Sequence, residues 1–150
     1  MKNLRAAREF CFQYFFHLQL PVFESLKKDL QSEGTPTLLT ESLNSFKAST
    51  NTLLDDQANQ FVQSQITSSL KNYIEIEKII TANLRNWKIG RLSKVDHTNL
   101  LLSVNDLCFS KSAPHKVVIN EAVEISKKFG TLESSSFVNG VLDSIAKAQG

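Results

Sequence analysis

Apolar residues recur every three or four positions along almost the whole chain, and no stretch alternates convincingly between apolar and polar residues. That spacing follows the 3.6-residue turn of a helix, not the two-residue repeat of a strand, and it predicts an all-α fold of about seven helices. Glycines 34, 90, 130, 140 and 150 mostly sit where such helices should stop. At 150 residues, the chain has the usual length of one domain with one core, expected to span residues 1–150.

A first helix runs from about Leu4 to Leu18. Pro21 suits the first turn of a short second helix ending near Leu30, and "SEGTP" is a break. Leu39, Leu43 and Phe46 mark a third helix in an otherwise polar segment, followed by a loop at "ASTNT". "DDQANQFVQSQI" opens a fourth, with acidic residues at the positive end of its dipole. Phe61, Ile66, Leu70, Tyr73, Ile76, Ile80 and Leu84 carry the pattern on, with a phase shift near Ser68. Two helices, or one bent helix, should therefore end near Trp87–Gly90. "SKVDHTNLLLSVNDLCF" is the next helix, with Val95, Leu100, Leu102, Leu107 and Phe109 among its apolar positions. Pro114 starts another, whose stripe is Val118, Ala122, Ile125 and Phe129 and whose C-terminal cap is Gly130. The last helix turns Val138, Val141, Leu142 and Ile145 inward.

The composition excludes several classes. The formal net charge is only +2, so any basic surface must be local. No uninterrupted apolar run is long enough to span a membrane. The basic and apolar N-terminus is interrupted by Glu9, Gln13, His17 and Gln19, and no small-residue cleavage site follows, which argues against a signal peptide. Cys11 and Cys108 form no CxxC and read as reduced, buried, small apolar residues of a cytosolic protein. His17, His97 and His115 have no ligand-like spacing, so no metal site is expected. Asn120 and Glu121 read as structural polar residues bonding between helices, and no second carboxylate points to acid–base chemistry.

"RAAREFCFQYFF", residues 5–16, is unusual because phenylalanines appear around the whole helix. With about 100° per residue, Phe12 and Phe16 fall within about 20° of Arg5, and Arg8 lies about 60° away. Ala7, Cys11, Tyr14, Phe15 and Leu18 cluster opposite. One face thus presents two guanidinium groups and two rings. Arginine grips phosphate oxygens through paired charged hydrogen bonds, and aromatic faces stack on unpaired bases. The plainer reading of the same spacing is core packing for the rings and solvation for the arginines.

"PHKVVINEAVEISKKFGTLESSSFVNGVLDSIAK" resembles the C-terminal signature of the NusB family, with "VINEAVE", "KKFG" and "FVNGVLD" in order and correctly spaced. "NWKIGRLSKVD" is similar to the family's Trp-containing lead into the preceding helix, and "ARE" with Gln13 fits the first helix. The strong match covers about residues 86–147, and a weaker one residues 5–20.

The resemblance implies two small helical bundles packed together and no catalysis or cofactor. It implies a transcription antitermination factor that binds single-stranded boxA RNA from ribosomal RNA operons. It does so beside NusE, a small-subunit ribosomal protein, within the RNA polymerase antitermination complex. Carried onto this chain, it places Arg5, Arg8, Phe16, Lys116, Glu133 and Phe137 at the RNA, Asp96 at the NusE-facing surface, and Phe12 in the core. For Phe137 the plain alternative is an edge-of-core ring, for Glu133 a dipole partner of the last helix, and for Asp96 a helix cap.

The chain departs from the family pattern in "KNLRAAR", which is thinner in arginine than usual, and in Ser136, where a basic residue is common. His97 and Leu101 stand where arginine is common, and Asn105 where an aromatic is common. Two other functions stay open, the first because of these departures. One is a protein-binding helical scaffold whose RNA face has decayed. The other is a detached accessory domain of an RNA methyltransferase, although the chain has no glycine-rich cofactor loop.

Overall fold

A computed structural model describes residues 4–32, 36–85 and 88–149. Among these there are eight α-helices: α1 Arg5–Leu18, α2 Glu24–Gln31, α3 Pro36–Ser49, α4 Asp56–Lys71, α5 Tyr73–Ala82, α6 Lys94–Asn105, α7 His115–Phe129 and α8 Ser134–Gln149. The all-α expectation and the helix order hold. The chain divides into two compact units, Met1–Lys71 and Asn72–Gly150.

In the first unit, α1 is buried nearly all round, through Ala7, Phe10, Cys11, Phe12, Tyr14, Phe15 and Leu18. Its phenylalanines therefore serve mostly as core, and α4 is its main neighbour. Phe46 of α3 meets Phe10 and Tyr14 edge-on, at centroid separations of 5.6 and 5.5 Å, a favoured geometry for aromatic pairs. The Tyr14 hydroxyl, buried with its ring, shares a 2.6 Å hydrogen bond with Ser42 Oγ. Pro21 opens a single 3₁₀ turn, Pro21–Phe23, that leads into α2.

The second unit is built from α5 to α8. Val138, Val141, Leu142 and Ile145 of α8 are buried, as their spacing requires. So are Val118, Ala122 and Ile125 of α7, whereas Phe129 is half-buried at the end of the stripe. A polar pin crosses this core. The Asn99 amide of α6 donates to the Ala122 carbonyl at 2.9 Å and to Ser126 Oγ at 3.1 Å. Asn99 thus supplies a buried interhelical link, while Asn120, which the sequence suggests as an interhelical polar residue, is exposed.

The helix ends differ in detail from the expectation. The division expected near Ser68 is present as two helices separated between Lys71 and Tyr73, while α5 stops at Ala82, short of the expected end; Asn86, Trp87 and the 33–35 part of "SEGTP" lie outside the described residues. Helix α6 runs into one π-helical turn, Asp106–Ser110, which leaves Phe109 exposed and Cys108 half-buried instead of buried. Lys111, at φ 50°, ends that turn, and buried Asp106 secures it by accepting from the Ser112 backbone N–H and hydroxyl, both at 2.8 Å. Gly130 does cap α7, but in extended backbone. A side chain is excluded there by crowding: a Cβ would stand 2.6 Å from Ser134 Oγ and 2.9 Å from the Ser126 carbonyl oxygen.

Candidate nucleic-acid and partner interface

The first unit presents Arg5, exposed at the start of α1, and Arg8, half-buried one turn on. The Arg8 guanidinium carbon sits 5.0 Å from the centroid of the Phe61 ring on α4. Cation–π attraction there fixes the direction of a side chain that would otherwise sample many rotamers. Phe12 is buried, with 3% of its surface exposed, while Phe16 remains half-buried. Their centroids are 6.0 Å apart. One ring closes the core, and the other keeps part of its surface open. That divides two residues that helical spacing alone sets on one face.

In the second unit, the loop between α7 and α8 meets the N-terminal turn of α6. Ser93 caps α6, its hydroxyl accepting the Asp96 backbone N–H at 3.1 Å. The carboxylate of Asp96 therefore stands in the first turn, at the positive end of the helix dipole. Opposite, the Thr131 backbone N–H donates to Ser134 Oγ at 3.0 Å, which fixes the approach to α8. Glu133 directly precedes α8, and Phe137 lies one turn further on. Between these segments is a cavity of about 310 Å³ lined by Arg91, Leu92, Ser93, Asp96, Thr131, Glu133, Ser134 and Phe137.

Three residues singled out in the sequence, Asp96, Glu133 and Phe137, are thus brought together around one space. Arg91, at the end of a short 3₁₀ turn, is a fourth member that the motifs did not single out. Asp96 Oδ1 is buried without a hydrogen-bond partner among the described residues. A buried carboxylate oxygen costs free energy until a donor meets it. Phe137 is half-buried, and its ring also borders a second cavity of about 400 Å³ along α8.

Lys116 is not part of this cluster. It is exposed in the first turn of α7 and lines a broad groove between α7 and α8, with Asn120, Glu121, Asn139 and Asp143. His97 turns away toward α5, where Nε2 lies 2.8 Å from Glu77 Oε2. Among the described residues no group of three or more His, Cys, Asp or Glu side chains comes together as a metal site would. No helix among them is long and apolar enough to cross a membrane.

Comparison with known proteins agrees with this architecture. The transcription antitermination protein NusB of Clostridium novyi (strain NT) is 34% identical over 146 residues, which cover 97% of this chain and 99% of that one. The structure of T. maritima NusB superposes with a TM-score of 0.74 at 32% identity, covering 97% of this chain and 92% of the other. A crystal structure of antitermination factors NusB and NusE in complex with dsRNA aligns with a TM-score of 0.72 at 26% identity, over 96% of each chain. The family model described as the NusB family matches residues 5–147, and with the helix order and the C-terminal motif in place, this chain belongs to the NusB family.

Proposed function

We propose that the chain is a transcription antitermination factor that binds the boxA element of nascent ribosomal RNA together with a NusE-type ribosomal protein, and so promotes read-through by RNA polymerase. It works in the cytoplasm as a binding module, without catalysis or a cofactor. The observation that carries this reading is the cavity of the second unit. It sets an aromatic ring beside two carboxylates and a guanidinium, and one buried carboxylate oxygen lacks a partner among the described residues. Bases splayed from a single strand stack on such rings, and their amino groups donate to such carboxylates.

Each unit carries RNA-contacting groups. Arg5, Arg8 and Phe16 do so in the first, with arginine on phosphate and the ring on a base. Glu133 and Phe137 do so in the second, and Lys116 serves as a point charge for the backbone of a longer strand. Asp96 borders the same cavity and faces the protein partner, so RNA and partner meet at one edge, which supports binding strengthened by both.

The deciding experiment is fluorescence anisotropy with labelled single-stranded boxA RNA, its scrambled control and a duplex of the same sequence, at two salt concentrations, with and without the ribosomal protein. Preferential boxA binding, tightened by the partner, is expected. Partner binding with no RNA binding in any condition would leave a protein-only scaffold.

A further inference from the structure

The cavity along α8 has a feature that the chain's own packing does not explain. Gly140 lies in the middle of α8, where glycine is among the least favourable residues for a helix. Unlike Gly130, it is not required by crowding among the described residues: a Cβ at 140 would meet none of their atoms within 4 Å. The space over it is the cavity of about 400 Å³, which Arg85, Ser136 and Phe137 also line. Its floor is fixed, because Ser144 donates to Asn83 Oδ1 at 2.7 Å and the Asn83 amide donates to the Ile79 carbonyl at 2.9 Å. A helical glycine that keeps a walled space clear, beside an exposed arginine and half of a phenylalanine ring, fits close approach by something from outside the chain.

We infer that this space is a second nucleotide subsite, separated by the Phe137 ring from the cavity of Asp96 and Glu133. The inference rests on the RNA-binding reading above and extends it to Arg85, Ser136 and Gly140, which the sequence analysis places at no RNA contact. Arg85 holds a phosphate. Gly140 lets the sugar–phosphate backbone pass against the helix, and Ser136 offers a hydroxyl to it. Phe137 divides two successive nucleotides, one on each side of its ring. The charges support this division of labour. The Glu133 cavity carries two carboxylates and suits a base edge with amino groups, whereas the Gly140 cavity has Arg85 and no acidic residue in its lining and suits the phosphate.

The test compares wild type, Gly140→Ala, Gly140→Gln and Arg85→Gln for binding to labelled boxA RNA with the ribosomal protein present, while circular dichroism follows folding. Gly140→Ala should raise the melting temperature by roughly 2–4 °C, because alanine favours the helix and has room, and yet weaken RNA binding several-fold. Gly140→Gln should stay helical and weaken binding about ten-fold or more. Arg85→Gln should weaken binding of all sequences alike and lower the salt slope by about 0.7, the loss of one phosphate contact on a single strand. Wild-type affinity and slope in all three variants would overturn the subsite and leave the broader RNA reading intact. No RNA binding by wild type would overturn both. A Gly140→Gln variant that loses the ribosomal protein but keeps RNA would assign the opening to the protein partner and overturn the subsite.

Discussion

Arg8 of α1 lies over the ring of Phe61 on α4, with 5.0 Å between the guanidinium carbon and the ring centroid. The contact ties a candidate phosphate ligand to the core of its unit, and it separates two effects of removing it. Arg8→Ala should cost at most about 1 kcal/mol of stability, the range of a partly exposed cation–π contact. It should weaken binding to boxA and scrambled RNA equally and flatten the salt slope by about 0.7. Salt titrations of the variant and wild type check this; an unchanged slope would remove Arg8 from the RNA.

Asn99 supports a prediction about stability alone. Its amide joins α6 to α7 through Ala122 and Ser126, and its Oδ1 lies 3.4 Å from the Ser103 hydroxyl. Asn99 and Ser126 are both almost fully buried. Asn99→Leu leaves the Ser126 hydroxyl without this partner in an apolar seam and should cost roughly 1–3 kcal/mol. Urea denaturation should show a lower midpoint with an unchanged m-value. A midpoint equal to that of wild type would mean that the seam repacks around leucine.

Parts of this arrangement are plain in the sequence, and parts are invisible there. The stripe 138, 141, 142, 145 can point only one way, and all four residues are buried. The break after Lys71 is marked only by the phase shift near Ser68, which leaves its position open. Leu70, Tyr73 and Ile76 keep helical spacing across it, and no glycine or proline falls between them. Helical angle also groups Phe12 with Phe16, since a period cannot say how far a neighbouring helix reaches. Asp96, Glu133 and Phe137 were legible through their motif words, each as a separate residue. Their convergence depends on the Ser93 cap and the Thr131–Ser134 turn, which act across more than thirty residues of chain. Arg91 lies within "NWKIGRLSKVD" without a role assigned to it there, Arg85 stands just before that segment, and both gain meaning only from the cavities they line. Gly140 falls inside the expected last helix with nothing in the sequence to explain it; only the space left over it by the described residues sets it apart.

His17 should make the first unit sensitive to acid. Its ring lies 3.9 Å from that of Phe23 and 4.8 Å from that of Phe46, centroid to centroid. Burial pushes its pKa below the usual 6.5, with the Tyr14 backbone opposing in part. A histidine depressed in the folded state is neutral there while the unfolded chain takes up a proton. Its contribution is therefore complete above about pH 6.5 and is lost as pH falls toward the lower folded value. Melting temperatures measured from pH 7.5 to 5 should fall more steeply for wild type than for His17→Phe. Parallel curves would mean that His17 has the same pKa folded and unfolded.

Phe137 and Asp96 border one cavity, and the proposed division between RNA and protein requires their variants to differ. Phe137 is half-buried at the edge of the α8 stripe, so Phe137→Asp should leave the helical signal intact. It removes a stacking surface worth about 1–3 kcal/mol, and it adds a negative charge beside Glu133 and Asp96 that repels phosphate. RNA binding should fall below detection while the ribosomal protein is still bound. Asp96→Ala removes a carboxylate oxygen that is buried and unpartnered among the described residues, so the free chain should lose little stability. The ribosomal protein should then bind about ten-fold more weakly, while RNA binding by the isolated chain stays within about two-fold of wild type, a ratio of one decade being about 1.4 kcal/mol. Titrating both variants with each ligand separately gives four affinities. Losses confined to one ligand per variant support two surfaces that meet at the cavity, and equal losses of both ligands in either variant would make that residue structural.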